Sequence, residues 1–373
     1  MAGLYIHIPF CHSKCSYCDF FSTPRLDNVE KYINALISEL KIRGPQFHNT
    51  FSTIYIGGGT PSILPIHLLE RLIISINTII KPYNIIEFTI EANPEDITAH
   101  WVKTVKNFGI NRVSLGIQSF NNIELKYINR RHSAETALNA INVLRENGIN
   151  NISGDLIFGL PKQDLNSWKY SLNCMLNLRL PHFSAYLLSY EKGTGLYTQL
   201  ISGKIEEATE DLVTQMYSYL ISQAKRYGYE HYEISNFAQP GFQAIHNSNY
   251  WKGLPYLGLG VSAHSFDGKA RSFNPSNLKN YITELSKGNC IHVIEDETAE
   301  ELHNDYIIVA LRTSQGINLE TYKSKFGTAT LNELIKLSEP HIDKGNMQLT
   351  QTHLSISEKA MLISDRIMLD VIK

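Results

Sequence analysis

No run in this chain of 373 residues approaches the roughly 18 consecutive apolar residues that a membrane span requires. The opening MAGLYIHIPFC also lacks the charged stretch and following apolar core of an export signal. Both absences lead us to expect a soluble, cytoplasmic protein. Charge of one sign is scarce too: the formal net charge is -2 and no basic run stands out, so the broad electrostatic footprint of a nucleic-acid binder is missing. A local basic patch stays open. Cysteine is sparse and poorly placed for a disulfide framework, because the count is five, an odd number, and three of them fall between residues 11 and 18. That crowding suits a metal site. Cys174 and Cys290 have no near partner and read as ordinary thiols.

What is present is a chain with 43% hydrophobic residues, long enough for a barrel-sized domain and a smaller one. Short β-rich runs alternate with helical periodicity through the first half. The strands expected are Leu4–Ile8, Thr53–Ile56, Ile86–Glu91, Arg112–Ile117, Ile152–Phe158 and Phe183–Leu188. Helical patterns lie between them at Val29–Arg43, Leu68–Ile80, Ser133–Glu146 and Leu165–Leu178. Six βα units predict parallel strands joined by right-handed crossovers, either in an open doubly wound sheet or in an incomplete barrel. A long helix is expected from Glu206 to Tyr227, and Gln239–Gly268 shows no period of either kind. We expect a first domain over 1–230, a connecting region over 231–289, and a small, mainly helical, winged-helix-like domain over 290–373.

The sharpest chemical signal is Cys11-His-Ser-Lys-Cys15-Ser-Tyr-Cys18, a CxxxCxxC directly after the first strand. Three thiolates in one short loop can wrap three corners of a cubane cluster and leave the fourth iron open to another ligand. Zinc stays open at this point, with His12 available to complete a site. Gly57-Gly58-Gly59-Thr60-Pro61 follows the second strand, where missing Cβ atoms let backbone approach a small polar ligand such as an amino-acid head group. Glu91, Gln118 and Asp155 recur at or near the ends of later strands, the side on which barrel cofactors collect.

YIHIPFCHSKCSYCDF, YIGGGTPS, TIEANPE, RVSLGIQSF and GDLIFGLP run in this order from Tyr5 to Pro161. Together they closely resemble the radical-SAM proteins related to oxygen-independent coproporphyrinogen III oxidase. The resemblance implies a partial (β/α)6 barrel in an α/β fold, followed by a small C-terminal domain. It implies a [4Fe–4S] cluster on Cys11, Cys15 and Cys18, with S-adenosylmethionine (SAM) on the open iron and Tyr5 and Tyr17 nearby. Gly58, Gly59 and Thr60 match the loop that receives SAM's polar end, and Glu91 matches an acid that contacts it. Gln118, Arg130 and Asp155 match residues that help hold a second SAM, so a second site stays open here.

Two departures bear on the branch within that family. The oxidases carry a further Cys two residues beyond the third ligand, where this chain has Phe20 after Asp19, and they carry a longer segment before the first strand. Both differences from the oxidases, and the HNxxYW match at His246-Asn247-Ser248-Asn249-Tyr250-Trp251, resemble the HemW-type heme chaperones. The resemblance implies a heme-binding protein that passes heme to an unidentified acceptor protein and draws on an electron donor. Oxidative decarboxylation of coproporphyrinogen III is the alternative. His246 offers an imidazole for heme iron, and Tyr250 and Trp251 offer flat faces for a porphyrin. The same segment also reads as a packed loop with a hydrogen-bonded histidine.

Overall fold

The computed structural model describes residues 2–47, 51–81 and 84–372. Six parallel strands, β1 (Ala2–Ile8), β2 (Phe51–Gly58), β3 (Glu87–Ala92), β4 (Arg112–Gln118), β5 (Asn151–Phe158) and β6 (His182–Leu187), lie side by side in chain order. The crossovers carry α1 (Val29–Arg43), α2 (Ile66–Ile80), α3 (Ala99–Asn107), α4 (Asn122–Tyr127), α5 (Ala134–Glu146) and α6 (Leu165–Asn177). Local chemistry sets several of the starts. Thr98, Ser133 and Asp164 precede α3, α5 and α6, and each side chain accepts from the backbone N–H three residues on. This is the partial (β/α)6 barrel that the repeat and the resemblance led us to expect.

Strand alternation splits each β sequence into two rows. One row packs under the helices: Leu4, Ile6 and Ile8 of β1, Ile54 and Ile56 of β2, and Val113, Leu115 and Ile117 of β4 are all buried there. The other row faces the barrel interior, and it is polar. Tyr55 meets Glu91, Ser114 meets Asp155, and Ser153 meets His182 across neighbouring strands of that face. Branched aliphatic side chains commonly fill a closed barrel. Here the interior is a hydrogen-bonded polar lining.

Beyond β6, α7 (Gly195–Ile201) and α8 (Glu210–Arg226) lead to β7 (Glu230–Glu233) and β8 (Asn236–Ala238), and β8 pairs antiparallel with β6. The aperiodic stretch then folds as α9 (Ile245–Trp251), β9 (Tyr256–Leu259) and β10 (His264–Phe266). β9 pairs parallel with β1, and β10, β11 (Arg271–Phe273) and β12 (Val293–Ile294) continue outward, making one sheet of twelve strands. Its strands there are two to four residues long, too short to display a period. After α10 (Leu278–Ser286) come α11 (Ala299–Leu311), β13 (Ile317–Asn318), α12 (Leu319–Phe326), α13 (Thr328–Asp343), β14 (Met347–Leu349), β15 (His353–Ile356) and α14 (Ser364–Val371). A three-stranded antiparallel sheet, β13-β15-β14, stands among these helices.

A buried ion pair on α1 anchors the added strands. Glu39 and Arg43, one helical turn apart, meet at 2.9 Å, and both are almost wholly enclosed. Glu39 also accepts from the Gly260 N–H at 2.8 Å, from Asn274 at 2.7 Å and from the Tyr281 hydroxyl at 2.6 Å. Arg43 donates to the Gly258 carbonyl at 3.1 Å and to Ser265 at 3.0 Å. A buried pair costs more to break than to replace. Glu39→Ala should therefore lower stability by about 3–5 kcal/mol, whereas Glu39→Gln, which keeps an oxygen for the Gly260, Asn274 and Tyr281 donors, should lose less. Urea unfolding of both variants checks this, and equal losses would count against these hydrogen bonds as part of the anchor.

Candidate functional site

The cysteine loop is held at both ends by backbone bonds before any ligand is considered. The Cys11 N–H donates to the Thr23 carbonyl at 3.1 Å, and the Thr23 N–H donates to the Pro9 carbonyl at 2.7 Å. The middle of the loop is pinned as well. Ser16 donates through its N–H to the Ile128 carbonyl and accepts from the Leu196 N–H, and Asn129 donates to the Lys14 carbonyl at 2.9 Å. All five cysteines are free thiols. Burial pushes the Cys11 thiol up and pushes Cys18 up to about 11, so binding of metal as thiolate releases protons.

The glycine run is stitched to the start of that loop. Gly59 and Thr60 donate through their N–H groups to the Ile8 and Phe10 carbonyls at 2.8 and 2.7 Å. A Cβ on Gly59 would stand 2.6 Å from the Phe10 carbonyl oxygen, which explains why only glycine fits there. Gly58 has φ +112° and donates its N–H to Glu91 at 2.9 Å. The other oxygen of Glu91 accepts from the Tyr55 hydroxyl at 2.7 Å, and a Cβ on Gly57 would come within 2.8 Å of that oxygen. Burial raises the Glu91 carboxyl to about 7, and the two donors hold it from going higher. Tyr55 was not among the residues singled out from sequence; its strict alternation with Ile54 and Ile56 was the signal.

Arg130 organises the opposite wall. One of its nitrogens donates to Asn93 and to the Gly116 carbonyl, both at 2.6 Å, and another lies 3.4 Å from the Cys15 sulfur. Its Nε is buried without a partner. Asn93, a second residue not singled out, also reaches Thr60 at 3.4 Å and so joins the two walls. Gln118 holds a left-handed backbone, φ +66°, at the end of β4, and Asp155 accepts from Ser114 at 3.3 Å. Burial raises the Asp155 carboxyl, and Ser184 and Arg112 oppose the rise.

These groups surround one cavity of about 400 Å³. Cys11, Cys15, Cys18, Tyr17, Gly58, Gly59, Thr60, Glu91, Gln118, Arg130 and Asp155 all line it. Tyr5 is outside that lining, on β1 below it, with its hydroxyl 2.9 Å from His7. His246 is outside it as well. It is buried on α9, its Nδ1 meets Thr53 at 2.8 Å, its Nε2 meets the Tyr250 hydroxyl at 2.7 Å, and its ring stacks on Tyr55 at 5.2 Å. With both nitrogens engaged, the imidazole offers none to a heme iron in this conformation. Burial pushes its pKa down to about 3, so the ring is neutral. Among the described residues, no three His, Cys, Asp or Glu side chains draw together around a point that would hold a single metal ion. A polynuclear cluster takes each thiolate at a separate iron, so three thiols lining one cavity need not converge on a single point.

The model of the Radical SAM superfamily matches residues 5–174. The heme chaperone HemW of Bacillus subtilis is 33% identical over 98% of this chain and 98% of its own length. The chain belongs to the HemW family of radical SAM proteins. The heme chaperone HemW of Lactococcus lactis is 35% identical over 86% of this chain and 84% of its own. The coproporphyrinogen III oxidase HemN of Escherichia coli has the same fold, with a TM-score of 0.86 at 23% identity over 100% of this chain and 90% of that one. A [4Fe–4S] cluster and SAM are the family's cofactors, and the thiol wall and the Glu91 cradle are where this chain's residues fit them.

Two outcomes follow from this geometry. Reconstituted protein should lose its [4Fe–4S] spectrum in Cys11→Ser, Cys15→Ser and Cys18→Ser and keep it in Cys174→Ser and Cys290→Ser, because only the first three share the cavity; full cluster content in any of the first three overturns the assignment. An ionised Glu91 accepts a hydrogen bond from an amino group better than a protonated one does, so if it meets SAM there, SAM affinity should fall as pH drops below about 7. Tyr55→Phe removes a donor that lowers the Glu91 pKa, so calorimetric titrations over a pH series should show that midpoint moving upward. For stability the sign is opposite: protonated Glu91 favours the fold below its ordinary 4.5, and that contribution is lost as pH rises through about 7.

Proposed function

We propose that this chain is a heme-binding chaperone that carries a [4Fe–4S] cluster and SAM and delivers heme to an acceptor protein. The observation that carries the reading is the end-to-end match, at 33% identity, with a relative named heme chaperone HemW. Phe20 standing where the oxidases have a further cysteine supports it. The E. coli oxidase shares the fold at 23% identity, and a shared fold does not carry an activity with it. No helix among the described residues is long and apolar enough to cross a membrane. The cytoplasm is the compartment we assign.

Cys11, Cys15 and Cys18 would hold the cluster's irons, and Gly58, Gly59, Thr60 and Glu91 would orient SAM. The cluster and SAM supply one-electron reduction and homolysis of a sulfonium carbon–sulfur bond when bound. Glu91 is kept in one orientation by Tyr55 and the Gly58 N–H, and Arg130 brings a fixed positive charge beside Cys15. Gln118, Arg130 and Asp155 would serve a second SAM. Heme, an acceptor protein and an electron donor are the partners this reading requires.

Anaerobic reconstitution followed by heme titration tests it. A saturable Soret change is expected, with no protoporphyrinogen IX formed when coproporphyrinogen III, SAM and a low-potential reductant are supplied. Turnover to protoporphyrinogen IX would establish the decarboxylase instead. Absence of both results would leave a radical SAM protein acting on another substrate.

A further inference from the structure

Exposed large apolar side chains elsewhere on this protein, such as Ile74, Ile86 and Ile123, do not line the cavity, whereas three at its mouth do. Phe20 is 62% exposed, and Tyr186 and Leu187 are each 42% exposed, and all three border the same opening. Their positions have a structural cause. Phe20 projects from the cysteine loop that Thr23, Ile128 and Asn129 pin in place. Leu187 ends β6 in the row of Phe183 and Ala185, both buried, and Tyr186 ends the interior row of His182 and Ser184. Each row of β6 thus runs out of cover at the mouth.

The cavity behind them, about 400 Å³, is near the lower end of the roughly 300–1,000 Å³ that takes one drug-sized ligand. With SAM inside, a plate as wide as a porphyrin is left with the rim. Lys14 and Arg131 border the same opening, both exposed, and neither is in an ion pair among the described residues. Asp19 and Glu95 line it as well, so the rim carries both signs. Exposed apolar side chains and a few charges lining one cavity are the usual mark of a ligand contact.

Resting on the heme reading above, we propose that heme docks flat across this mouth, its porphyrin face on Phe20, Tyr186 and Leu187 and its propionates toward Lys14 and Arg131. The porphyrin then covers the cavity and closes SAM off from water. This places heme at the carboxyl ends of the strands, at the opposite end of the barrel from His246. It also gives Phe20 a use where the oxidases have a cysteine.

The full chain, with cluster and SAM restored, would be titrated with hemin and with hemin dimethyl ester. Phe20→Ser and Leu187→Ser should each weaken hemin binding, and the double change should weaken it about tenfold or more. Ile123→Ser, at an exposed apolar residue away from the mouth, should leave it unchanged. The dimethyl ester should bind the parent more weakly than hemin and should bind Lys14→Gln, Arg131→Gln as it binds the parent. Cluster content and melting temperature establish that each variant is folded. If the parent binds hemin and the folded double variant binds it equally well, the docking site is wrong and the heme reading stands. If the parent binds no hemin, both fall together.

Discussion

A barrel whose interior row is polar must give nearly every group in that row a partner, and this requirement shapes the rest of the molecule. An unsatisfied buried donor or acceptor costs about 1–3 kcal/mol. Tyr55 therefore supplies Glu91 with a donor, and Ser153, His182 and Tyr232 form a continuous chain of hydrogen bonds. Few groups escape the rule. Thr89 Oγ1 and Arg112 Nε are buried without a partner, and Arg112 brings a positive charge that reaches Tyr55, Asp155 and His246.

The end of the barrel away from the cysteines is closed by the HNxxYW segment. Glu87 of β3 accepts from the N–H groups of Ile245 and His246, both at 2.8 Å, and so caps α9 from outside it. His246 then reaches Thr53, and Tyr250 holds the other side of its ring. Trp251 lies under the Arg312 guanidinium at 4.7 Å, just past the end of α11. The Ile234 N–H donates to the Arg312 carbonyl and the Ser314 N–H to the Tyr232 carbonyl beside it. One short motif therefore plugs the barrel and fastens the C-terminal elements to it. Through Tyr55, stacked on His246 and bonded to Glu91, it also touches the far side of the cofactor cavity.

The working face is built differently, from loops fixed by backbone bonds. The cysteine loop, the glycine run and Arg130 hold their places through main-chain contacts and Asn93, so the cavity has its shape before a cofactor enters. Preorganisation of this kind lowers what binding must spend on ordering the chain. It also leaves the exposed apolar residues at the mouth where they stand.

Much of this was legible in the amino-acid order alone. Elements long enough for several periods came out within a few residues of their observed ends, as with Val29–Arg43 and Arg112–Gln118, because periodicity reports which face of a single element is buried. The cysteine spacing and the glycine run were legible because their chemistry is local. The strands of 236–294 were not, since elements of two to four residues carry no period and form only by pairing with β1, β6 or one another. Nor was the place of His246: its residue type admits an iron ligand or a hydrogen-bonded plug, and only the neighbours that folding brings from β2 and from its own helix decide between them. The sequence by itself determined the element order, the thiol loop and the polar rows. The tertiary structure decided which polar group satisfies which, because partners such as Glu39 and Tyr281 stand 242 residues apart and meet only once α10 packs on α1.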